Sequence, residues 1–175
     1  MRILKTLYCS LILPHLNYCL LTWGPNAGKI LRLQKKAIGV ICGSKYNAHT
    51  EPLFKKLHLL KINDMYKLKM LIFFYNYQNG NLPTHLQLFD IQTGQEVHNY
   101  RTRNSHQIRI TPTNTKFADK HIRVAITNVV NGTPDNIITK IHTHSLQGYK
   151  RYTKNMIINE YSSECNIPNC YVCPS

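Results

Sequence analysis

Acidic residues are scarce in this 175-residue chain, which has 8 Asp and Glu against 22 Lys and Arg. They are also scattered, with no Asp-Asp pair and no D-x-D among them. Two-metal phosphoryl transfer needs at least two carboxylates on a common metal site, and nothing local in the sequence supplies such a pair. A G-x-S-x-G elbow, a P-loop and a G-x-G-x-x-G turn are missing as well. We therefore expect no catalytic site and no cofactor.

No long, unbroken apolar run is present either. The opening MRILKTLYCSLILPHLNYCLLTWG starts with basic residues, but its apolar stretch is interrupted by Pro14, His15 and Asn17. A membrane span needs about 18–20 mostly apolar residues, and a signal peptide needs a cleavage site that is not evident here. We expect a buried or half-buried helix that bends at Pro14, with a signal peptide as the less favoured alternative. The residues that share one face of this helix are Leu4, Leu7, Leu11 and Ile12, followed by Leu16, Cys19 and Leu20.

The excess of basic residues gives a formal net charge of +14. Such a charge indicates a polyanionic partner, and nucleic acid is the commonest one. The alternative is a basic protein that is merely soluble. The charge is uneven along the chain, because residues 1–60 carry nine basic side chains and one acid, Glu51. More than half of the net charge therefore lies in the first third.

The six cysteines do not have the pattern of a secreted disulfide framework. Cys9, Cys19 and Cys42 lie in apolar helical surroundings, where cysteine behaves as a small hydrophobic residue. The pattern favours a reducing compartment, and hence the cytoplasm or nucleus.

The other three cysteines, Cys165, Cys170 and Cys173, lie near the C-terminus. The C-x2-C spacing of the last two fits zinc, and His142 or His144 could supply a fourth ligand. The favoured interpretation is nevertheless a disordered tail that carries cysteines, and we commit to no metal.

Apolar residues make up 43% of the chain, which is enough for a core. Periodicity and capping residues predict helices over about 29–42, 53–59, 63–78, 115–131 and 145–160. Residues 98–112 are predicted to form a basic loop, with 107–110 as its candidate strand. The expected fold is mostly α, an irregular helical bundle over residues 1–161 followed by a flexible tail over 162–175.

Two basic segments are the candidate binding sites. The helix predicted at 29–42 has an apolar side (Ile30, Leu33, Ala37, Val40 and Ile41) and a basic side. We call the basic side the basic stripe; its residues are Lys29, Arg32, Lys35 and Lys36. The second segment, NYRTRN, contains Tyr100, Arg101 and Arg103, and such residues can pair with phosphates and stack on bases. The alternatives are an ordinary solvated helix face and a loop that packs locally.

Several stretches together resemble a known family. SLILPHLNYCLLTWG, LRLQKKAIGVI, YNAHTEPLFKKLHLLKINDMYKLKMLIFFYNYQNGNLP and HNYRTRN are similar, in order and spacing, to the C-terminal part of jockey-like non-LTR retrotransposon reverse transcriptases. VVNGTPDNI and SLQGYKRYTKNMIINEY resemble its closing segments, so the resemblance covers roughly residues 4–161. It implies a region beyond the polymerase palm, in the thumb and after it, that handles RNA and DNA.

The chain also departs from that family. The palm's catalytic aspartates would lie before Met1, Val130 stands where the family usually has tryptophan, and Gly39 stands where it usually has a basic residue. The resemblance therefore implies a truncated, non-catalytic remnant rather than an RNA-directed DNA polymerase.

Two hypotheses follow from these observations. The first is a helical module that binds RNA or DNA through non-specific phosphate contacts and that would also contact the missing upstream polymerase domain. The second is a helical protein–protein interaction module, in which the first helix exposes Leu7, Leu11 and Leu20. Neither involves a membrane.

Overall fold

The structure is a computed structural model that describes residues 2–84, 91–97, 107–110 and 112–163. This part of the chain is mostly helical, which confirms the expected fold class. The helices are α1 (Arg2–Leu7), α2 (Leu13–Asn17), α3 (Leu20–Trp23), α4 (Gly28–Cys42), α5 (Glu51–Leu57), α6 (Ile62–Gln78), α7 (Gly94–Val97), α8 (Ile122–Asn131), α9 (Asp135–Ile138) and α10 (Leu146–Asn159). A π-helical turn, Tyr8–Ile12, follows α1, and 3-10 turns cover Gly24–Asn26, Ala118–Lys120 and Thr139–Ile141. Within the described residues no helix is both long and apolar enough to cross a bilayer.

The chain divides into two compact units. The first comprises Met1–Leu68 and Arg151–Ser175, and the second comprises Lys69–Lys150. Helices α6 and α10 each contribute residues to both units. The boundary expected between residues 161 and 162 stays a prediction, because everything after Ser163 lies outside the described residues.

Three long helices begin and end close to where the sequence places them. Helix α4 ends at Gly43, whose φ of 63° is the left-handed conformation that glycine adopts at low cost. Helix α6 is followed by Gly80 with a φ of 67°. Helix α10 is one residue shorter than predicted at each end. A glycine at a helix end and an amphipathic period are local features of the sequence, so they can be recognised without knowledge of the fold.

The first segment differs from the expectation. Its helix is interrupted at Tyr18 and Cys19. Cys19 has a φ of 46° and is exposed to solvent, although it was expected to lie in apolar surroundings. Much of the face that was expected to be buried or half-buried is exposed: Leu4 43%, Leu7 47%, Leu11 62% and Ile12 44%. Tyr8, which lines the same depression as these residues, is buried. The exposure of Leu7 and Leu11 agrees with the second hypothesis, but Leu20, which that hypothesis also exposes, is buried. Periodicity shows which residues share a face, but it does not show whether the protein supplies a neighbour for that face.

The helix predicted at 115–131 begins later, at Ile122. His121 is extended, with a ψ of 139°, and its Nδ1 accepts a hydrogen bond from the Arg123 N–H as the N-cap. Phe117, which lies within the predicted range but before the helix, is 88% exposed. The predicted short strand reduces to a single antiparallel bridge between Thr93 and Ile108, the one β pairing in the described chain.

Gln34, in the middle of α4, is only 3% exposed although its side chain is polar. Its Nε2 donates hydrogen bonds to the Tyr8 Oη and to the Leu60 carbonyl, both at 3.0 Å. Its Oε1 accepts a hydrogen bond from the Ile62 N–H at 2.8 Å. A buried amide is tolerated when its donors and acceptor are all paired. This one side chain therefore ties α4 both to the turn after α1 and to the start of α6.

A close approach between Gly24 and α6 also shapes the first unit. A Cβ placed on Gly24 would lie 2.2 Å from Cδ2 of the Tyr66 ring, so only glycine fits there. The core around it consists of buried apolar residues, the most enclosed of which are Leu20, Ile38, Phe54, Leu57 and Ile62. The 3-10 turn Gly24–Asn26 is thus a packing site as well as a connection.

The segment that follows α10 is held to α5 by Lys55, within the first unit. The Lys55 Nζ donates hydrogen bonds to the Tyr161 carbonyl at 2.6 Å and to the Ser163 Oγ at 2.9 Å. A cation at the C-terminal end of a helix also complements the helix dipole. Lys55 is therefore used by the fold and is not a candidate for phosphate binding.

A second charged cluster lies beside it. Lys61 forms a salt bridge with Glu51, and its Nζ lies 4.4 Å from the centre of the Tyr161 ring. The Tyr161 hydroxyl accepts a hydrogen bond from the Lys61 N–H at 3.1 Å and donates one to Asp64 at 2.5 Å. Burial, together with the bond to Asp64, raises the pKa of Tyr161 far above its usual range. The hydroxyl therefore stays protonated and keeps its role as a donor.

The second unit is organised around two polar anchors. The Asn131 amide donates to the Ile108 carbonyl at 2.8 Å and accepts from the Ile108 N–H at 3.0 Å, which fixes that short extended segment. Tyr75 stacks on Tyr149 with ring centres 5.1 Å apart, and its hydroxyl donates to the His144 carbonyl at 2.8 Å. Asn131 thus has a definite structural function in the VVNGTPDNI segment.

Replacing Gln34 tests whether its side chain joins α4 to the turn after α1 and to the start of α6. Gln34→Ala leaves the Ile62 N–H without its acceptor and opens a cavity, so we expect a loss of about 3 kcal/mol in unfolding free energy. Tyr8→Phe removes one of the three bonds and should cost about 1 kcal/mol. Gln147→Ala, an exposed helical glutamine, is the matched control. Urea denaturation measures all three, and equal effects of Gln34→Ala and Gln147→Ala would contradict the bridge.

The Glu51–Lys61 pair should make stability depend on pH. The hydrogen bond from Lys61 is the main cause that holds the pKa of Glu51 below its ordinary value. The stabilisation is therefore present above about pH 4.3, the ordinary glutamate pKa, and is lost as the pH falls through the lowered value. A double-mutant cycle of Glu51→Gln and Lys61→Met, followed by denaturation, should show a coupling energy at about pH 7 that shrinks toward zero as the pH falls below the lowered pKa of Glu51. A coupling energy that does not change with pH would refute this assignment.

Candidate nucleic-acid interface

The basic stripe lies on the solvent side of α4. Lys29, Arg32, Lys35 and Lys36 are all exposed, whereas the opposite side of the helix buries Gln34, Ile38 and Ile41. None of the four forms a salt bridge within the described part of the chain. Because the bonds of Gln34 fix the rotation of α4, the four cations are held on one outward face.

The apolar side of α4 is only partly where the sequence places it. Ile41 is buried, but Leu33 is 65% exposed and Val40 is 71% exposed. The buried surface is rotated toward Gln34 and Ile38, because the buried amide binds the neighbouring segments. As a result, the exposed face of α4 combines cations with apolar side chains.

A groove opens beside the C-terminal half of α4. It has a volume of about 730 Å³ and lies between α4 and the loop that leads to α5. We call it the basic groove, and its lining includes Lys35, Lys36, Val40, Lys45 and Tyr46. Two cations of the basic stripe thus form one wall of a concave surface.

The loop that forms the other wall is closed by backbone hydrogen bonds. The Ser44 N–H and Oγ both donate to the Gly39 carbonyl, at 3.1 and 3.2 Å. Further along, the Ala48 N–H donates to the Lys45 carbonyl at 3.1 Å and closes a turn. A Cβ on Gly39 would lie 3.3 Å from the Ser44 Oγ. Because Gly39 has no side chain, the loop can return closely to the helix.

Tyr46 and Lys45 were not singled out from the sequence. Tyr46 projects from the turn with 93% of its surface exposed, and Lys45 next to it is exposed too. An aromatic residue beside a lysine, directly after a basic helix, was the available signal. What the sequence could not show is that the left-handed Gly43 returns this turn to the side of Lys35 and Lys36.

One carboxylate lies near the basic groove. Lys35 contributes to the lowered pKa of Glu51, although less than Lys61 does. Because Glu51 is already paired with Lys61, it does not neutralise the cations of the groove by a salt bridge of its own. The groove therefore keeps its positive character.

An apolar patch adjoins the other side of α4. It surrounds a shallow depression of about 280 Å³ whose lining includes Leu4, Leu7, Leu11, Ile12 and Val40. Val40 lines both this apolar patch and the basic groove. Two chemically different surfaces of the first unit thus meet at one residue.

The remaining candidate residues give less information. Tyr100, Arg101 and Arg103 lie outside the described residues, as do Cys165, Cys170 and Cys173. Cys9, Cys19 and Cys42 are free thiols. Within the described residues, no three His, Cys, Asp or Glu side chains are grouped so that they could hold a metal ion. Zinc binding by the tail and a role for the arginine loop stay predictions.

Several acids of the described chain serve as local hydrogen-bond acceptors. Glu51 and Asp64 bind Lys61 and Tyr161, as described above. Glu96 accepts from the Thr93 N–H at 2.6 Å and from its hydroxyl at 3.0 Å, which lowers the pKa of that carboxyl. Asp119 accepts from the Thr113 hydroxyl. These contacts stabilise turns and helix ends.

Comparison with protein-family models, with curated proteins and with solved structures finds no match to this chain.

Proposed function

We propose that this chain is a non-catalytic helical module that binds nucleic acid through phosphate contacts. The observation that carries the proposal is the set of four exposed cations on α4, opposite a buried face that Gln34 locks in place. Cations held on one face of a rigid helix attract a polyanion more strongly than cations spread over a surface. The net charge of +14 adds a favourable long-range potential.

The resemblance to the post-palm region of jockey-like reverse transcriptases supports the same proposal. The segment LRLQKKAIGVI, which contributes to that resemblance, lies within α4 and contains three of the four stripe residues. We propose on this basis that the chain derives from such an element, that RNA and DNA are its ligands, and that it acts in the cytoplasm or nucleus. Contact with an upstream polymerase domain belongs to the same proposal.

Binding to a labelled RNA–DNA primer–template tests the proposal. If about six phosphates are neutralised, affinity should fall about a thousandfold between 50 and 200 mM salt, because counterions are released on binding. Replacing Arg32, Lys35 and Lys36 by Gln should reduce the slope of log affinity against log salt by about three. Fluorescence anisotropy at several salt concentrations measures both quantities.

A charge-matched variant provides the control. Lys116, Lys120 and Arg151 are exposed and lie outside the stripe and the groove. Their replacement by Gln removes the same charge and should leave most of the affinity and most of the salt slope. Equal losses in the two triple variants would show that only net charge matters, and a binding constant that is flat in salt would refute phosphate binding.

The apolar patch favours a second candidate function, a docking site for another protein. We propose an amphipathic partner helix flanked by acidic residues as the occupant. The patch lies in a segment whose first acid is Glu51, and Arg2 and Lys5 lie on the same helix as Leu4 and Leu7. A second copy of this chain would bring like charges together, whereas an acidic helix would complement them.

A pair of designed helical peptides distinguishes these occupants. A leucine-faced peptide with glutamate flanks should bind, and one with lysine flanks should not. Leu11→Ser combined with Val40→Ser should weaken binding roughly tenfold, because both side chains are exposed and contribute apolar area. Phe117→Ser, at a still more exposed apolar residue outside the patch, should have no effect. Self-association of the chain, or binding to anionic vesicles without binding to the acidic peptide, would contradict the proposal.

A further inference from the structure

The basic groove has a composition that a phosphate-binding helix face does not require. Its lining joins cations from α4 to an aromatic side chain from the following loop, around a volume of about 730 Å³. Tyr46 is 93% exposed, so no part of the described chain covers its ring. The groove thus offers both charge and an uncovered ring.

We infer that the basic groove binds single-stranded nucleic acid, with one base stacked on Tyr46 and the adjoining phosphates held by Lys35, Lys36 and Lys45. This inference rests on the proposed nucleic-acid binding and names the form of nucleic acid that this site takes. Cations along the backbone, combined with an aromatic platform for the bases, are the elements of sequence-tolerant single-strand binding.

The shape of the groove favours a single strand over a duplex. In a duplex the faces of the bases are stacked on each other and are not available to a tyrosine ring, whereas an unpaired base can turn out and stack. The lining of the groove also includes Gly39, Gly43 and Val40. These groups offer apolar contact to a base and carry no like charge that would repel phosphate.

The backbone of the loop that carries Tyr46 is held by local hydrogen bonds. Gly43 has a φ of 63°, and the two bonds from Ser44 to the Gly39 carbonyl fix the chain where it leaves α4. The turn closed by Ala48 and Lys45 then presents Tyr46 to solvent. Little backbone ordering is therefore needed when a base binds, which favours affinity.

The stacking is tested with a single-stranded oligonucleotide that carries one 2-aminopurine, a base whose fluorescence is quenched on stacking. The intact chain should quench this probe and should bind it more tightly than the matching duplex. Tyr46→Leu should weaken single-strand binding about five- to a hundredfold and abolish quenching, whereas Tyr46→Phe, which keeps the ring, should retain both. Phe117→Leu, at another exposed aromatic, is the matched control and should change nothing.

The possible failures are distinguishable. Equal affinity for single strand and duplex, with Tyr46→Leu indistinguishable from the unmodified chain, would overturn the stacking site. The proposed function would then still stand if binding remains salt-sensitive and is lost when Arg32, Lys35 and Lys36 are replaced. Absence of any salt-sensitive binding would overturn both the proposed function and the stacking site.

Discussion

The buried amide of Gln34 is the constraint on which the first unit depends. Three hydrogen bonds from one side chain join α4 to Tyr8 and to the start of α6. An amide in an apolar core costs free energy unless every donor and acceptor is paired, so only one rotation of α4 satisfies it. That rotation places Ile38 inward and Arg32 outward. The position of the cations is therefore a consequence of how a neutral side chain is buried.

The same constraint explains why apolar and basic residues share the exposed face of α4. If Leu33 and Val40 were turned inward, Gln34 would move toward solvent and its bonds to the Leu60 carbonyl and the Ile62 N–H would break. The exposure of two apolar side chains costs less than leaving several polar groups unpaired in the core. Val40, which lines both the basic groove and the apolar patch, is thus exposed because a polar side chain is buried in the core, and it is available for binding.

The sequence predicts the helices that carry their own signals and fails where a tertiary contact decides. Helices α4 and α6 have clear periods and glycine stops, and the exposed basic stripe follows from the period of α4. The burial of Gln34 cannot be predicted from the sequence, because a glutamine in a helix is normally exposed to solvent. The exposure of Leu11 and of Phe117 is not readable either, since an apolar residue predicts burial only where a neighbour is present. The position of Tyr46 beside Lys35 and Lys36 could not be predicted either, because it depends on the path of the loop. That path follows from the left-handed conformation of Gly43.

Some basic residues stabilise the fold and others are exposed on its surface. This division bears on the function of the excess positive charge. Lys55 and Lys61 bind carbonyls, a carboxylate and an aromatic ring inside the first unit, so these two cations are part of its stability. Within the part of the chain that the structure describes, the stripe residues make no such salt bridge, and they repel one another on one helix face. The folded state retains this repulsion. A polyanion that binds the folded state but not the unfolded chain therefore stabilises the fold. Clustering of cations is costly in isolation and favourable in a complex, which is the arrangement expected of a binding surface rather than of a merely soluble one.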